Sequence, residues 1–366
     1  MKRTGISDLP LHYGHPPEKL FKHMVDLTSA IIEIINSWYG PSTIIKRLSD
    51  PIWFQSLSLV TGFDWNSSGT TTATLYALKE VLKHSNTGIL MAGGKGKDMT
   101  GTKMEIERSV SDRVLSDHEG IELINFSRKI ARADSNLLQD GYDLYIHSML
   151  FRNHKDWSII QQGIDRNERM ARRYQWHSSS ADHILDDGRS GIFSIVRKDS
   201  VLDLTTSKSR ENRNGMIETV RDPLILRTVN NVKKNGQFKL DYFQEDLKFT
   251  SYDLPVNWEK LRQIYEYQPS TFDELFMMKG VGKSAIRALS YISEVIMGKP
   301  PSYSDPLRYT FALGGKDGIP KPVNYEDYDV SIEFFSEILK SVDIPETKKR
   351  ESLEKLSRMS IQLAPH

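Results

Sequence analysis

The sequence predicts a mixed α/β protein that is mostly helical. Apolar residues recur at helical spacing in the first and last thirds of the chain, and two apolar runs flank a polar turn in the middle. We therefore expect an N-terminal helical/α+β region with a central β-hairpin, followed by a C-terminal helical domain. The predicted boundaries are 1–233 for the first domain, 234–256 for a linker and 257–366 for the second domain.

The N-terminal third is predicted to be helical. A helix begins at Pro16-Pro17 and ends before Gly40-Pro41, because proline is favoured in a first helical turn and breaks a helix interior. Its apolar stripe consists of Leu20, Met24, Leu27, Ile31, Ile34 and Trp38. Further helices are predicted over 41–48, 50–60 and 70–83. A short buried strand at 88–92 then precedes a helical pattern over 103–133.

The middle of the chain is the most strand-like part. Two runs, Tyr142–Phe151 and Trp157–Gly163, flank the polar residues 152–156 and predict a β-hairpin. A helix is predicted from Asp165 to Trp176. After it we expect irregular structure over 177–203, mainly helix over 205–233, and C-terminal helices over 257–267, 271–298, 326–341 and 346–361.

Residues 271–298 resemble a helix-hairpin-helix, a module that binds the sugar-phosphate backbone of nucleic acids without reading bases. Thr271 and Glu274 have the spacing of a capping box at the start of the first helix. Gly280 and Gly282 favour a tight turn, because glycine adopts backbone angles that other residues resist. Val281 between them is expected to enter the core. The alternative is an ordinary Gly-Val-Gly turn between two helices.

The second helix of this module is expected to bind a phosphate. Lys283 and Ser284 open it, where unpaired backbone N–H groups and the helix dipole attract anions. Lys279 and Lys283 add positive charge, and Arg287 is expected to point outward. Ile286 departs from the usual motif, which has a small residue at that position.

Composition limits how the chain can bind nucleic acid. The 49 basic residues are balanced by 48 acidic residues, so binding must come from local patches and not from a global field. The chain has no cysteine, which excludes disulfides, zinc ribbons, iron–sulfur clusters and thiol catalysis. No stretch has the length and hydropathy of a membrane span, and the N-terminus lacks a signal peptide. We expect a cytoplasmic protein.

The predicted helix Asp165–Trp176 carries a row of arginines. Arg166, Arg169 and Arg173 would fall on one helical face and could follow phosphates. The alternative is a solvated face paired with nearby acidic residues.

A glycine- and lysine-rich loop follows the strand predicted at 88–92. It reads Gly93-Gly94-Lys95-Gly96-Lys97 and lacks the Walker spacing, so nucleotide hydrolysis is not expected. Lys95 and Lys97 are candidate contacts to a nucleic-acid backbone or to a substrate phosphate. The alternative is a flexible turn with solvated lysines.

Four polar residues near the central hairpin are candidates for catalysis, namely Asp134, Asp140, His147 and Gln161. Carboxylate and amide oxygens can hold a divalent cation for phosphodiester cleavage, so Asp140 and Gln161 are candidate ligands of Mg²⁺ or Mn²⁺. The second strand has no lysine two residues after an acidic group, as common two-strand nuclease sites require. The alternative is a hydrogen-bonded hairpin with a structural role.

Several motifs together resemble the prokaryotic, mainly archaeal, domain of unknown function 763 family. The motifs are Asp8-Leu9-Pro10-Leu11-His12, Gly62-Phe63-Asp64-Trp65, Ala92-Gly93-Gly94-Lys95-Gly96-Lys97, Leu138-Gln139-Asp140-Gly141-Tyr142, Gln161-Gln162-Gly163 and Gly314-Gly315-Lys316-Asp317-Gly318. The resemblance implies a cytoplasmic protein with a C-terminal helix-hairpin-helix. It implies no activity and no catalytic residues.

These observations predict a DNA-binding protein that grips backbone phosphates in DNA processing or repair, with a metal-dependent nuclease as one form of that function. The alternatives are a non-catalytic DNA-binding or scaffold protein and an RNA-processing factor. The expected partner is DNA, with RNA and a second copy of the chain also considered.

Overall fold

The computed structural model describes residues 18–61, 69–194, 196–222, 258–307 and 333–340, with short pieces at 346–347, 350 and 353–354. None of the described helices is long and apolar enough to cross a membrane. The named helices are α1 Glu18–Tyr39, α2 Pro41–Leu48, α3 Pro51–Val60, α4 Gly69–His84, α5 Lys97–Ser111, α6 Asp117–Arg132, α7 Arg210–Arg221, α8 Trp258–Tyr267, α9 Phe272–Met277 and α10 Lys283–Met297.

A five-stranded antiparallel sheet lies at the centre of the fold, and the mixed α/β prediction is confirmed. Its strand order is β1-β3-β4-β5-β6, and β2 pairs with β7 in a separate small sheet. The strand predicted at 88–92 corresponds to β1, and the predicted hairpin to β3 and β4. The strands are β1 Leu90–Lys95, β2 Leu138–Gln139, β3 Asp143–Asn153, β4 Asp156–Asp165, β5 Met170–His177, β6 Gly191–Phe193 and β7 Leu202–Asp203.

The helix predicted from Asp165 to Trp176 is wrong, because most of this segment forms β5. Trp176 pairs with Ile159 of β4, and Gln175 pairs with Ile160. Both faces of β5 are buried, so its polar side chains are covered by protein. The arginines in this run suggested a solvated helix, whereas two covered faces explain why no alternation of polar and apolar residues marks the strand.

Helices cover both faces of the sheet and create two main cores. Ile146, Leu150 and Ile160 face α1–α4 and the helical residues 333–340. Met149 and Trp176 face the opposite core, which includes residues of α5–α10. Residues on both sides of the predicted linker therefore share one core. The linker itself, 234–256, lies outside the described residues, as do the family-like motifs at 8–12, 62–65 and 314–318.

Two glycines, one where β1 approaches β3 and one inside α5, are predicted to respond oppositely to substitution by alanine. Gly93 has φ +88°, and a Cβ there would lie 2.2 Å from the carbonyl oxygen of His147. Gly101 lies inside α5, where a Cβ would meet nothing within 4 Å. We expect Gly93→Ala to lower the free energy of unfolding by at least about 2 kcal/mol. Gly101→Ala should raise it by about 0.5–1 kcal/mol.

Chemical denaturation of the two variants beside the wild type measures both effects. Equal stability of Gly93→Ala and the wild type would contradict the close approach of β1 to β3.

Candidate nucleic-acid interface

Two helices, α9 and α10, form a helical hairpin joined by the turn 278–282. The hydroxyl of Thr271 caps α9 by accepting the N–H of Glu274 at 3.2 Å. The Glu274 carboxylate accepts the N–H of Ser270 at 2.8 Å. Capping of α9 by Thr271 is therefore confirmed. Whether the hairpin acts as a helix-hairpin-helix stays a prediction.

The turn depends on one glycine with left-handed backbone geometry. Gly280 has φ +82°, which strains any residue with a side chain. Gly282 has φ −112°, an angle open to other residues, and is the N-cap of α10. The predicted need for unusual backbone angles thus holds for Gly280 but is wrong for Gly282. Val281 is buried in the core at 1% exposure, as predicted.

The start of α10 has unpaired backbone donors. Gly282 supplies no side-chain cap, and the N–H groups of Lys283, Ser284 and Ala285 donate to no described residue. In a helix of 15 residues, the dipole places partial positive charge at the same point. This terminus therefore has the donors and the charge that attract an anion.

The predicted basic residues around the turn differ in their surroundings. Lys279 is exposed and forms no ion pair with a described residue. Lys283 pairs with Asp143 at 3.0 Å, and the Asp143 side chain is 77% exposed. Arg287 is half-buried and donates to the amide oxygen of Gln139 at 2.5 Å, so it does not point freely outward. Because exposed ion pairs contribute little stability, a phosphate could compete with Asp143 for Lys283.

Three basic loops meet at one end of the sheet, which we call the basic end. Antiparallel pairing places Lys95, where β1 ends, opposite Ile146 near the start of β3. Lys283 contacts Asp143, the first residue of β3. The exposed turn 166–169 between β4 and β5 lies at this end because Asp143 pairs with Ile164. The structure therefore brings together the hairpin turn, the exposed lysines of the loop 95–97 and the turn 166–169.

The predicted arginine row does not form. Arg166 and Arg169 are exposed in the turn 166–169. Arg173 is buried on β5 at 2% exposure and donates to the side chain of Gln55 and the carbonyl of Pro51, each at 3.2 Å. Arg173 therefore supports the packing of α3 and is not available to phosphate, whereas Arg166 and Arg169 remain candidates.

Three of the four candidate catalytic residues form one buried chain of hydrogen bonds. His147 Nδ1 lies 2.8 Å from Gln161 Oε1, and the amide nitrogen of Gln161 donates to Asp134. Asp134 also accepts from Trp176 Nε1 at 2.8 Å and from Arg189 Nε at 2.6 Å. Burial raises the pKa of the Asp134 carboxyl, and the Arg189 guanidinium opposes that rise. The Asp134 carboxylate and the Arg189 guanidinium form an ion pair inside the core.

The fourth residue, Asp140, lies in a separate cluster. Its carboxylate accepts from Arg172 at 3.1 Å and from Tyr174 at 2.7 Å. Arg172 also contacts Asp305 at 2.9 Å. The structure therefore does not join Asp140 and Gln161 in one site. Within the described ranges, no group of three or more histidine and acidic side chains could hold a metal ion. These contacts favour a structural role for the polar hairpin.

Sequence reasoning missed the partners that hold these groups. Arg189 contacts Asp134 across 55 positions of the chain, and Asp305 contacts Arg172 across 133. It also did not foresee that Arg132, Asn136 and Gln139 contact the hairpin turn from below, although Gln139 stands in one of the family-like motifs. No spacing pattern could have identified these pairs, because they are close only in the folded chain.

The Asp134–Arg189 contact makes a testable prediction. Arg189→Leu leaves a buried carboxylate without its charged partner and should lower the free energy of unfolding by about 3–5 kcal/mol. Loss of Arg189 also moves the pKa of Asp134 further above its ordinary value of 3.8. The folded variant then holds a proton that the unfolded chain releases, so its stability should fall as the pH rises above that value.

Urea denaturation between pH 4 and 7 measures both effects. The control is Arg189→Leu combined with Asp134→Asn, which removes the unpaired charge and should recover part of the stability with a flatter pH profile. A single variant as stable as the double variant at pH 7 would contradict the buried ion pair.

The comparisons with known proteins agree with the sequence motifs. A family model described as a protein of unknown function (DUF763) matches residues 5–323, which is most of the chain. No curated protein and no solved structure matches the chain. The family membership expected from the sequence is confirmed, and the protein belongs to the DUF763 family.

Proposed function

We propose that the protein binds DNA through backbone phosphates, with the helical hairpin 271–298 as its principal contact. The observation that carries the proposal is the turn 278–282. Its left-handed Gly280 is followed by a helix start whose three N–H groups donate to no described residue. Lys279 is exposed beside them. Backbone donors, a helix dipole and a nearby cation are the features that bind phosphate.

The basic end of the sheet extends this contact. Strand order β1-β3-β4-β5 places the turn 166–169 between two and three strand spacings from the loop 95–97, which is about 10–14 Å. More than one phosphate of a duplex strand falls within that distance. Lys95, Lys97, Arg166 and Arg169 are therefore candidates for further phosphates of the same backbone.

The expected binding is independent of base sequence. Phosphate contacts position a protein on nucleic acid but carry no sequence information. The chain has a net charge of only +1, so affinity must come from this surface and should fall steeply with salt. Binding of this kind suits a factor in DNA processing or repair. RNA carries the same phosphates, so binding to RNA is measured beside binding to DNA in the test below.

The proposed binding requires no catalytic residue. The carboxylates predicted to take part, Asp134 and Asp140, are both buried and accept hydrogen bonds from arginine. The roles of Mg²⁺ and Mn²⁺ and the nuclease activity stay predictions. Incubation of duplex, flapped and single-stranded DNA with the protein and Mn²⁺ tests them.

Removing two lysines beside the turn tests the proposed binding. For Lys279→Ala combined with Lys283→Ala, we expect affinity for a short duplex to fall roughly tenfold at low salt. Each lost phosphate contact should also make the plot of log affinity against log salt shallower by about 0.9. Fluorescence anisotropy over a range of salt concentrations gives both values, with matched DNA and RNA duplexes run in parallel.

The matched control is Lys155→Ala. Lys155 is exposed in the turn between β3 and β4, at the opposite end of the sheet. The Lys155→Ala variant should bind DNA with the affinity of the wild type. The proposal is wrong if the wild type binds no DNA, or if the double variant keeps wild-type affinity and salt dependence.

A further inference from the structure

The hairpin turn lies on a short segment of the chain whose contact with the hairpin no sequence pattern indicated. Residues 132–139 run from the end of α6 through a π-helical turn, Ala133–Leu137, into β2. Side chains of this segment donate to backbone carbonyls of the hairpin more than 140 positions away. We call residues 132–139 the supporting segment.

The supporting segment binds four carbonyl oxygens of the hairpin. Arg132 donates to the carbonyl of Phe276, and to that of Met278 at 3.0 Å. Two side-chain amides make the other contacts. Asn136 donates to the carbonyl of Val281 at 3.5 Å, and Gln139 donates to the carbonyl of Lys283 at 2.9 Å. These carbonyls thus point toward the supporting segment.

The direction of the carbonyls sets the direction of the amides. In a planar trans peptide, the C=O and the N–H of the same unit point in opposite directions. The carbonyls of Met278, Val281 and Lys283 belong to the same peptide units as the N–H groups of the residues that follow each of them. When the supporting segment holds these carbonyls, the N–H groups of Lys279, Gly282 and Ser284 point away from it.

Gln139 is the central contact. It is buried at 8% exposure. Its amide nitrogen donates to the carbonyls of Lys283 at 2.9 Å and Asn136 at 3.0 Å, while its amide oxygen accepts from Arg287 at 2.5 Å. A single side chain therefore fixes the first turn of α10, the supporting segment and a basic residue of the hairpin.

The supporting segment is itself anchored to the sheet. Asp134 lies in its π-helical turn and contacts Gln161 of β4, Trp176 of β5 and Arg189. Turns of π-helix are rare and occur frequently at functional sites. The hairpin is thus connected to the central sheet through buried hydrogen bonds.

We infer that Arg132, Asn136 and Gln139 are positioning residues that hold the hairpin turn with its N–H groups directed outward, ready to bind phosphate. This inference rests on the proposed phosphate binding. Orientation of the donors before binding removes an ordering cost that the complex would otherwise carry. Loss of a neutral residue in the supporting segment should then weaken DNA binding with no change in charge.

The test is Gln139→Leu, with Gln175→Leu as its matched control. Gln175 is buried on β5, donates to the carbonyl of Leu48 at 2.8 Å and accepts from Arg173 at 3.0 Å. The control therefore loses the same kinds of hydrogen bond, to a backbone carbonyl and to an arginine, on the face of the sheet opposite Asp134. It loses one carbonyl contact where Gln139→Leu loses two. DNA affinity is measured by anisotropy at a temperature where circular dichroism finds all variants folded.

We expect Gln139→Leu to weaken DNA binding about tenfold and Gln175→Leu less than twofold. Without DNA, hydrogen exchange should become faster in Gln139→Leu alone at the two hydrogen-bonded amides of the turn, those of Val281 and Ile286, which donate to the carbonyls of Met278 and Gly282. A double variant of Gln139→Leu with Lys279→Ala should lose less affinity than the product of the two single losses, because both changes act on one turn.

Each contrary result has a distinct meaning. Wild-type affinity and exchange in Gln139→Leu would overturn the inference while DNA binding stands. Equal losses in Gln139→Leu and Gln175→Leu would assign Gln139 a merely structural role and also overturn it. A wild type that binds no nucleic acid would overturn the proposed function, and this inference with it.

Discussion

The buried contact between Asp134 and Arg189 links the central sheet to the segment that supports the helical hairpin. Asp134 lies in the turn after α6, and its carboxylate accepts from Arg189 as well as from side chains of β4 and β5. Taking a carboxylate out of water is costly unless it is paired and hydrogen-bonded, so these donors are required together. They fix residues 132–139 against the sheet, and those residues in turn contact the helical hairpin.

Because both faces of the sheet are covered, its polar side chains serve the interior. His147 and Gln161 complete the chain that ends at Asp134, while Arg173 and Gln175 bind α2 and α3 on the other face. The density of polar groups that suggests a catalytic hairpin is explained by this burial. The surface suited to phosphate lies instead where the strands end, beside the hairpin turn.

Local sequence signals predicted most of the elements. Apolar periodicity located α1, and Thr271 marked the start of α9, because these features depend on neighbouring residues. The same reasoning failed for β5, whose covered faces remove the alternation that marks a strand. It could not foresee that Asp134 would be held by Arg189, since that pair forms only when distant segments fold together. The helical hairpin of the candidate site could therefore be predicted from the sequence, whereas the contacts that support it could not.

Amide chemical shifts of the turn glycines report directly on whether DNA phosphates bind at the hairpin turn. The chain has 23 glycines, so protein labelled with ¹⁵N-glycine gives a resolvable spectrum during titration with a short DNA duplex. Phosphate binding at the hairpin turn predicts large shifts for Gly280 and Gly282, smaller shifts for Gly96 in the loop 95–97, and none for Gly188, which packs against the backbone of His183. Saturable binding that leaves Gly280 and Gly282 unmoved would contradict it.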